Sequence, residues 1–126
     1  MKKITINDKE YEISCNAFTR FQYKKIFGRG MFEDIRTLNK MNEEQEKLKK
    51  TFKGSEEELN SEINNITLDN LDDFMDVIER IAYILIYTAN DKVGTFEDFL
   101  KGIDKVNLSD AWISEVTETA VNSFLG

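Results

Sequence analysis

The chain contains no histidine and no proline, and its only cysteine is Cys15. Without histidine it lacks the usual general base, the usual activator of a nucleophile and the commonest metal ligand. Without proline no helix is broken from within, and no turn waits on slow prolyl isomerisation. A single cysteine permits no intramolecular disulfide, so a reducing compartment is expected. With no histidine to activate it, Cys15 reads as a small buried hydrophobe at a strand-to-helix junction. Long hydrophobic stretches are missing as well. The apolar run Ile81–Tyr87 falls far short of the roughly 18–20 residues a membrane span requires, and Asp72, Asp73, Asp76, Glu79 and Arg80 precede it. Residues 1–6 alternate instead of forming a signal-peptide block. A soluble cytoplasmic protein without a membrane partner is expected.

A basic surplus is also lacking. Across 126 residues there are 17 Lys and Arg against 24 Asp and Glu, a net charge of −7. A dedicated nucleic-acid binder displaces counterions from phosphates with a basic surface, so nucleic acid is not an expected partner. The length fits one domain, residues 1–126, with a modest core.

What is present centres on the stretch from Leu68 to Asn90. Leu71, Phe74, Met75, Ile78, Ile81, Ala82, Leu85 and Ala89 recur at the spacing of one helical face. From Ile81 to Tyr87 the helix is apolar nearly all round, as helices enclosed by other elements are. A central buried helix over about 69–89 follows, with Thr67 or Asp69 as its cap.

Residues 2–14 read as a β-hairpin. With Asp8-Lys9 as the loop, Ile6 faces Tyr11 and Ile4 faces Ile13, and these four share one apolar face. Asn16 caps a helix from Ala17 to about Phe27, with Phe18, Phe21 and Ile26 on its buried side and Arg20, Lys24 and Lys25 solvated. Gly28 stops it, and a short helix from Gly30 to Met41 buries Met31, Ile35 and Leu38. Residues 42–66 are dominated by charge, with Leu48, Phe52, Leu59, Ile63 and Ile66 as sparse apolar anchors. A mobile, solvated helix, a break at Gly54-Ser55 and a second helical turn around Glu56–Ile63 are expected there, with disorder or partner-induced folding as the alternative. Thr95 opens a short helix with Asp98 at the capping-box position. Ser109 caps a last helix carrying Trp112, Ile113, Val116, Ala120 and Phe124. The expected architecture is α+β and mainly α: an N-terminal β-hairpin packed on a bundle of about five helices around the central one.

Chemistry is sparse. Asp69, Asp72, Asp73 and Asp76 read as a carboxylate-rich first turn favoured by the helix dipole rather than as a cation site. Gly28-Arg29-Gly30 reads as a helix stop and restart rather than a phosphate cradle. The cluster Lys47, Lys49, Lys50 and Lys53 is flanked by glutamates and reads as a solvated face. No catalytic residue, metal ligand or cofactor-binding residue is expected.

The order of the segments carries more information. The hairpin ITINDKEYEIS, then FTRFQYKKIFGRGMFEDI, the core IERIAYILIYTAND, the helix TFEDFLKGID and the terminal WISEVTETAVNSFL together resemble tail assembly chaperones of long-tailed bacteriophages and related prophages. The resemblance covers nearly the whole chain outside residues 42–66. It implies a non-enzymatic protein that binds the largely helical tape measure protein, keeps it soluble and helps tail tube subunits polymerise around it. It further implies action in the host bacterial cytoplasm and absence from the mature virion. In such systems a ribosomal frameshift extends part of the product, and this chain would be the short form. Tail tube protein is a further implied partner. The last helix has more apolar positions than one core stripe needs, which makes Val121, Phe124 and Leu125 the candidate contacts to a partner or to a second copy in self-association; the alternative is that they finish the core. Two other functions compete: an acidic phage-encoded inhibitor mimicking nucleic acid, and a minor structural protein of the virion.

Overall fold

In the computed structural model, which describes residues 2–69, 71–106 and 110–124, β1 (Lys2–Ile6) and β2 (Lys9–Ile13) form an antiparallel hairpin. The turn residues are Asn7 and Asp8, with φ of 49° and 69°. A two-residue turn whose twist matches the strands needs positive φ at both central positions, which Asn and Asp tolerate and Lys9 does not favour. The register is therefore two residues from the expected one, with Ile4 opposite Tyr11 and Lys2 opposite Ile13. A two-residue shift preserves the faces. Ile4, Ile6 and Ile13 are buried, and Lys3, Thr5, Glu10 and Glu12 are exposed.

The hairpin leads into α1 (Ala17–Phe27), followed by α2 (Met31–Thr51), α3 (Glu56–Asp69), α4 (Leu71–Ala89), α5 (Phe96–Lys101) and α6 (Ala111–Phe124). The fold is α+β and mainly helical. The central helix is α4, where Val77, Ile78 and every residue from Ile81 to Ile86 are buried. The hairpin, α1, α2, α5 and α6 surround it. The Ser14 amide donates to the Leu85 carbonyl at 3.0 Å, fixing the hairpin exit on that helix.

Local chemistry sets most of the boundaries. Asn16 Oδ1 accepts from the amides of Phe18 and Thr19, and Thr19 Oγ1 accepts from the Asn16 amide at 3.0 Å. Gly28 ends α1 at φ 69°, its amide donating to the Lys24 carbonyl at 2.9 Å. A Cβ at Gly28 would meet nothing within 4 Å, so the cost of a side chain there is conformational. Gly28→Ala is expected to destabilise the fold by about 1–2 kcal/mol, measured as a lower urea midpoint with an unchanged m-value. An unshifted midpoint would show that the α1 stop does not need this conformation.

Thr67 and Asp69 lie within α3, and the capping of α4 expected of them falls on side chains outside the described residues. The charged segment is helical on both sides of a break at Phe52–Ser55, and α2 runs ten residues past the expected end at Met41, to Thr51. Ser55 Oγ accepts from the Glu58 amide at 3.1 Å, and Glu56, Glu57 and Glu58 occupy the positive end of α3. Thr95 and Asp98 make the expected capping box of α5. The expected roles of Ser109, and of the Met41, Ile63, Ile66 and Leu71 side chains, lie outside the described residues.

The largest departure concerns α1. Phe18 is 49% exposed, Phe21 61% and Ile26 39%, so the three expected core residues face outward. Thr19, Gln22 and Tyr23 are buried in their place. Thr88 Oγ1 donates its only proton to the Ile84 carbonyl at 2.7 Å, which makes Thr19 the donor in the 2.8 Å contact between the two hydroxyls. The polar inner side of α1 is thus bound to α4 by hydrogen bonds that its own periodicity does not announce.

Candidate docking cleft between α1 and α2

Asp34 organises the junction of α1, α2 and α4. It is fully buried in the first turn of α2. Its Oδ1 lies 2.9 Å from Arg29 Nη2, and its Oδ2 accepts from Arg80 Nε at 3.2 Å and from the Tyr23 hydroxyl. Arg80 Nε also donates to the Tyr23 oxygen at 3.1 Å. One carboxylate therefore joins α1, the α1–α2 connection, α2 and α4, and a buried charge held by two hydrogen bonds and a further ion pair fixes the relative placement of the helices.

The same network sets a pH limit. Burial raises the Tyr23 phenol well above its ordinary range, and the bond to Asp34 adds to this while Arg80 opposes it. Tyr83 is raised as well, by burial and by Tyr87 and Asp98. The folded chain thus holds these protons more tightly than the unfolded chain. Their contribution to stability is complete below about pH 10 and is lost as pH rises towards the folded-state values. In an ultraviolet titration, the Tyr23 phenolate is expected to emerge only as helical circular dichroism is lost, and Tyr23→Phe is expected to remove that step. Ionisation of all four tyrosines before any loss of helix would contradict the assignment.

With Tyr23 turned inward, the opposite side of α1 meets solvent beside α2. A cleft of about 550 Å³ opens there, lined by Arg20, Phe21, Lys24 and Lys25 of α1 and by Met31 and Phe32 of α2. Met31 is buried, while Phe32 is 42% exposed. Aromatic side chains continue the surface on both sides. The Phe18 and Phe21 rings are 6.5 Å apart, and Phe32 packs edge-on against Phe124 at 5.3 Å. Arg20 reaches across from α1 and lies 5.3 Å over the Phe32 ring.

The sequence-derived contact residues stand at the border of this surface. Phe124 is half-buried and touches Phe32; Val121 is half-buried against the core. Leu125 lies outside the described residues. The structure brings Phe124 into the aromatic surface and adds Phe18, Phe21, Arg20 and Phe32, which sequence reasoning had placed in the core, in solvent or nowhere. The available signal was the surplus of aromatic positions in α1 and early α2, where Arg20, Lys24 and Lys25 interrupt any wide apolar face.

Cys15 is half-buried, and burial raises its thiol pKa, which disfavours the reactive thiolate. Among the described residues, no group of three or more Cys, Asp or Glu side chains is placed to hold a metal ion. Asp72, Asp73 and Asp76 of α4 are exposed, and the Asp69 side chain lies outside the described residues. No helix among the described residues is long and apolar enough to cross a membrane. Comparison of the chain with protein-family models, with curated proteins and with solved structures finds no match.

Proposed function

We propose that this protein is a non-enzymatic tail assembly chaperone of a long-tailed bacteriophage or prophage, which binds the tape measure protein and keeps it soluble while the tail tube is built. The observation that carries the reading is the open aromatic cleft between α1 and α2, with Phe21 at 61% exposure. A holdase must offer apolar surface to a partner's apolar stripe without opening its own core. Here the core lies around α4, and the cleft aromatics are surplus to it. The resemblance of the successive segments to such chaperones supplies the partner's identity. Weak contacts suffice in this role, because many copies along one long partner gain by avidity. The site of action is then the host cytoplasm, and the finished virion is expected to lack the protein.

The test is co-expression with the tape measure protein, followed by size-exclusion chromatography with light scattering. A soluble complex holding several copies of this chain per tape measure protein is the expected result. Free chain beside insoluble tape measure protein would overturn the reading, and detection of the chain in purified particles would favour a structural role.

A further inference from the structure

The cleft is charged against the trend of the molecule. The chain carries 24 acidic residues against 17 basic ones, yet the charged side chains lining the cleft are Arg20, Lys24 and Lys25, without a carboxylate. All three are exposed. Among the described residues no salt bridge engages Lys24 or Lys25, and Arg20 rests on the Phe32 ring. The dipole of α1 accounts for lysines in its last turn. It does not account for Arg20 in mid-helix, nor for a carboxylate-free lining on a protein of net charge −7. Cations grouped around an apolar floor and left without internal counter-charges are matched to anionic groups on a partner.

We propose that the cleft accepts a single α-helix of a partner protein whose apolar stripe is flanked by Asp and Glu. The identity of that partner as tape measure protein rests on the chaperone reading; the chemistry of the helix rests on the cleft. Both walls are helical, α1 through its second half and α2 through its first turn, so the cleft offers no extended edge to which a strand could be added. A volume of about 550 Å³ suits a few apolar side chains projecting from successive helical turns. Arg20 and the two lysines then face the flanking carboxylates, with the guanidinium supplying a planar pair of donors. Basic and aromatic side chains together also occur on surfaces that meet anionic lipid. The concave shape of this site and the net negative charge of the molecule favour the helix.

The test uses the full chain and two synthetic helical peptides of about twenty residues with the same apolar stripe, one flanked by Glu and one by Lys. Fluorescence anisotropy is expected to show binding of the Glu peptide that weakens about tenfold between roughly 0.05 and 0.3 M salt. The double variant Lys24→Glu/Lys25→Glu, checked for folding by circular dichroism, is expected to lose about tenfold in affinity for the Glu peptide and to gain affinity for the Lys peptide. Equal or tighter binding of the Lys peptide by the parent chain would overturn the proposal, as would a double variant without effect. Capture of anionic phospholipid vesicles instead of either peptide would assign the patch to lipid. Dimerisation that the double variant abolishes, with no peptide bound, would assign it to a second copy. Binding of the Glu peptide without recovery of soluble tape measure protein would keep the cleft chemistry and end the chaperone reading. A soluble tape measure complex indifferent to the double variant would do the reverse.

Discussion

Asp34→Ala is expected to lower the unfolding free energy by about 3–5 kcal/mol, the cost typical of removing one partner from a buried ion pair. The carboxylate is fully buried, accepts from Tyr23 and Arg80 through Oδ2, and is ion-paired with Arg29 through Oδ1. The three partners do not lose equally. The Arg29 side chain is 42% exposed and regains water, so its share is small. The Arg80 side chain is only 16% exposed and keeps the Tyr23 oxygen as its remaining contact in the network, which leaves a poorly hydrated charge without a counter-charge. Asp34→Asn preserves shape and can still accept from Tyr23, so its expected loss is smaller, about 1.5–3 kcal/mol. Urea unfolding followed by circular dichroism measures both. An alanine variant within about 0.5 kcal/mol of the parent would show that the network contributes position without stability. The same variant is expected to weaken cleft binding, because Asp34 holds the two helices that form the walls.

The second large effect is on binding alone. Phe21→Asp is expected to abolish recovery of soluble tape measure protein while leaving the urea midpoint nearly unchanged. At 61% exposure the ring contributes little to the core, and exposed substitutions typically stay within about 0.5 kcal/mol. Its removal takes an aromatic anchor from the cleft and places a carboxylate among Arg20, Lys24 and Lys25. Central aromatic contacts of this kind are commonly worth about 2 kcal/mol or more, roughly thirtyfold in affinity. Phe124→Asp provides the contrast. Phe124 is half-buried against Phe32 and the core, so that change is expected to reduce stability and binding together. If Phe21→Asp unfolds the chain, α1 packs through its aromatic side after all. If it leaves tape measure binding intact, the chaperone surface lies elsewhere.

Much of the architecture was legible because it follows from local rules. The all-round apolar run Ile81–Tyr87 required enclosure, and α4 is the enclosed helix. Asn16, Gly28 and Thr95 marked helix ends through side-chain caps and a left-handed stop, chemistry that acts within a few residues. Alternation placed Ile4, Ile6 and Ile13 on the buried face even though the turn register was two residues off, since such a shift does not exchange faces.

The orientation of α1 was not legible. Phe18 and Phe21 had the spacing of a core stripe, and burying them would remove more apolar area from water than burying Thr19 and Gln22. Hydrophobic periodicity ranks faces by transfer free energy alone. It has no knowledge that Thr88 will stand opposite Thr19, or that Asp34 and Arg80 will converge on Tyr23. Those partners are distant in sequence, and a buried carboxylate can be accommodated only where its donors meet it. The sequence by itself therefore determined the order of the elements, the caps at Asn16 and Thr95, the stop at Gly28 and the central helix. Tertiary structure alone decided which side of α1 faces in, and with it the aromatic, basic-rimmed cleft that faces out.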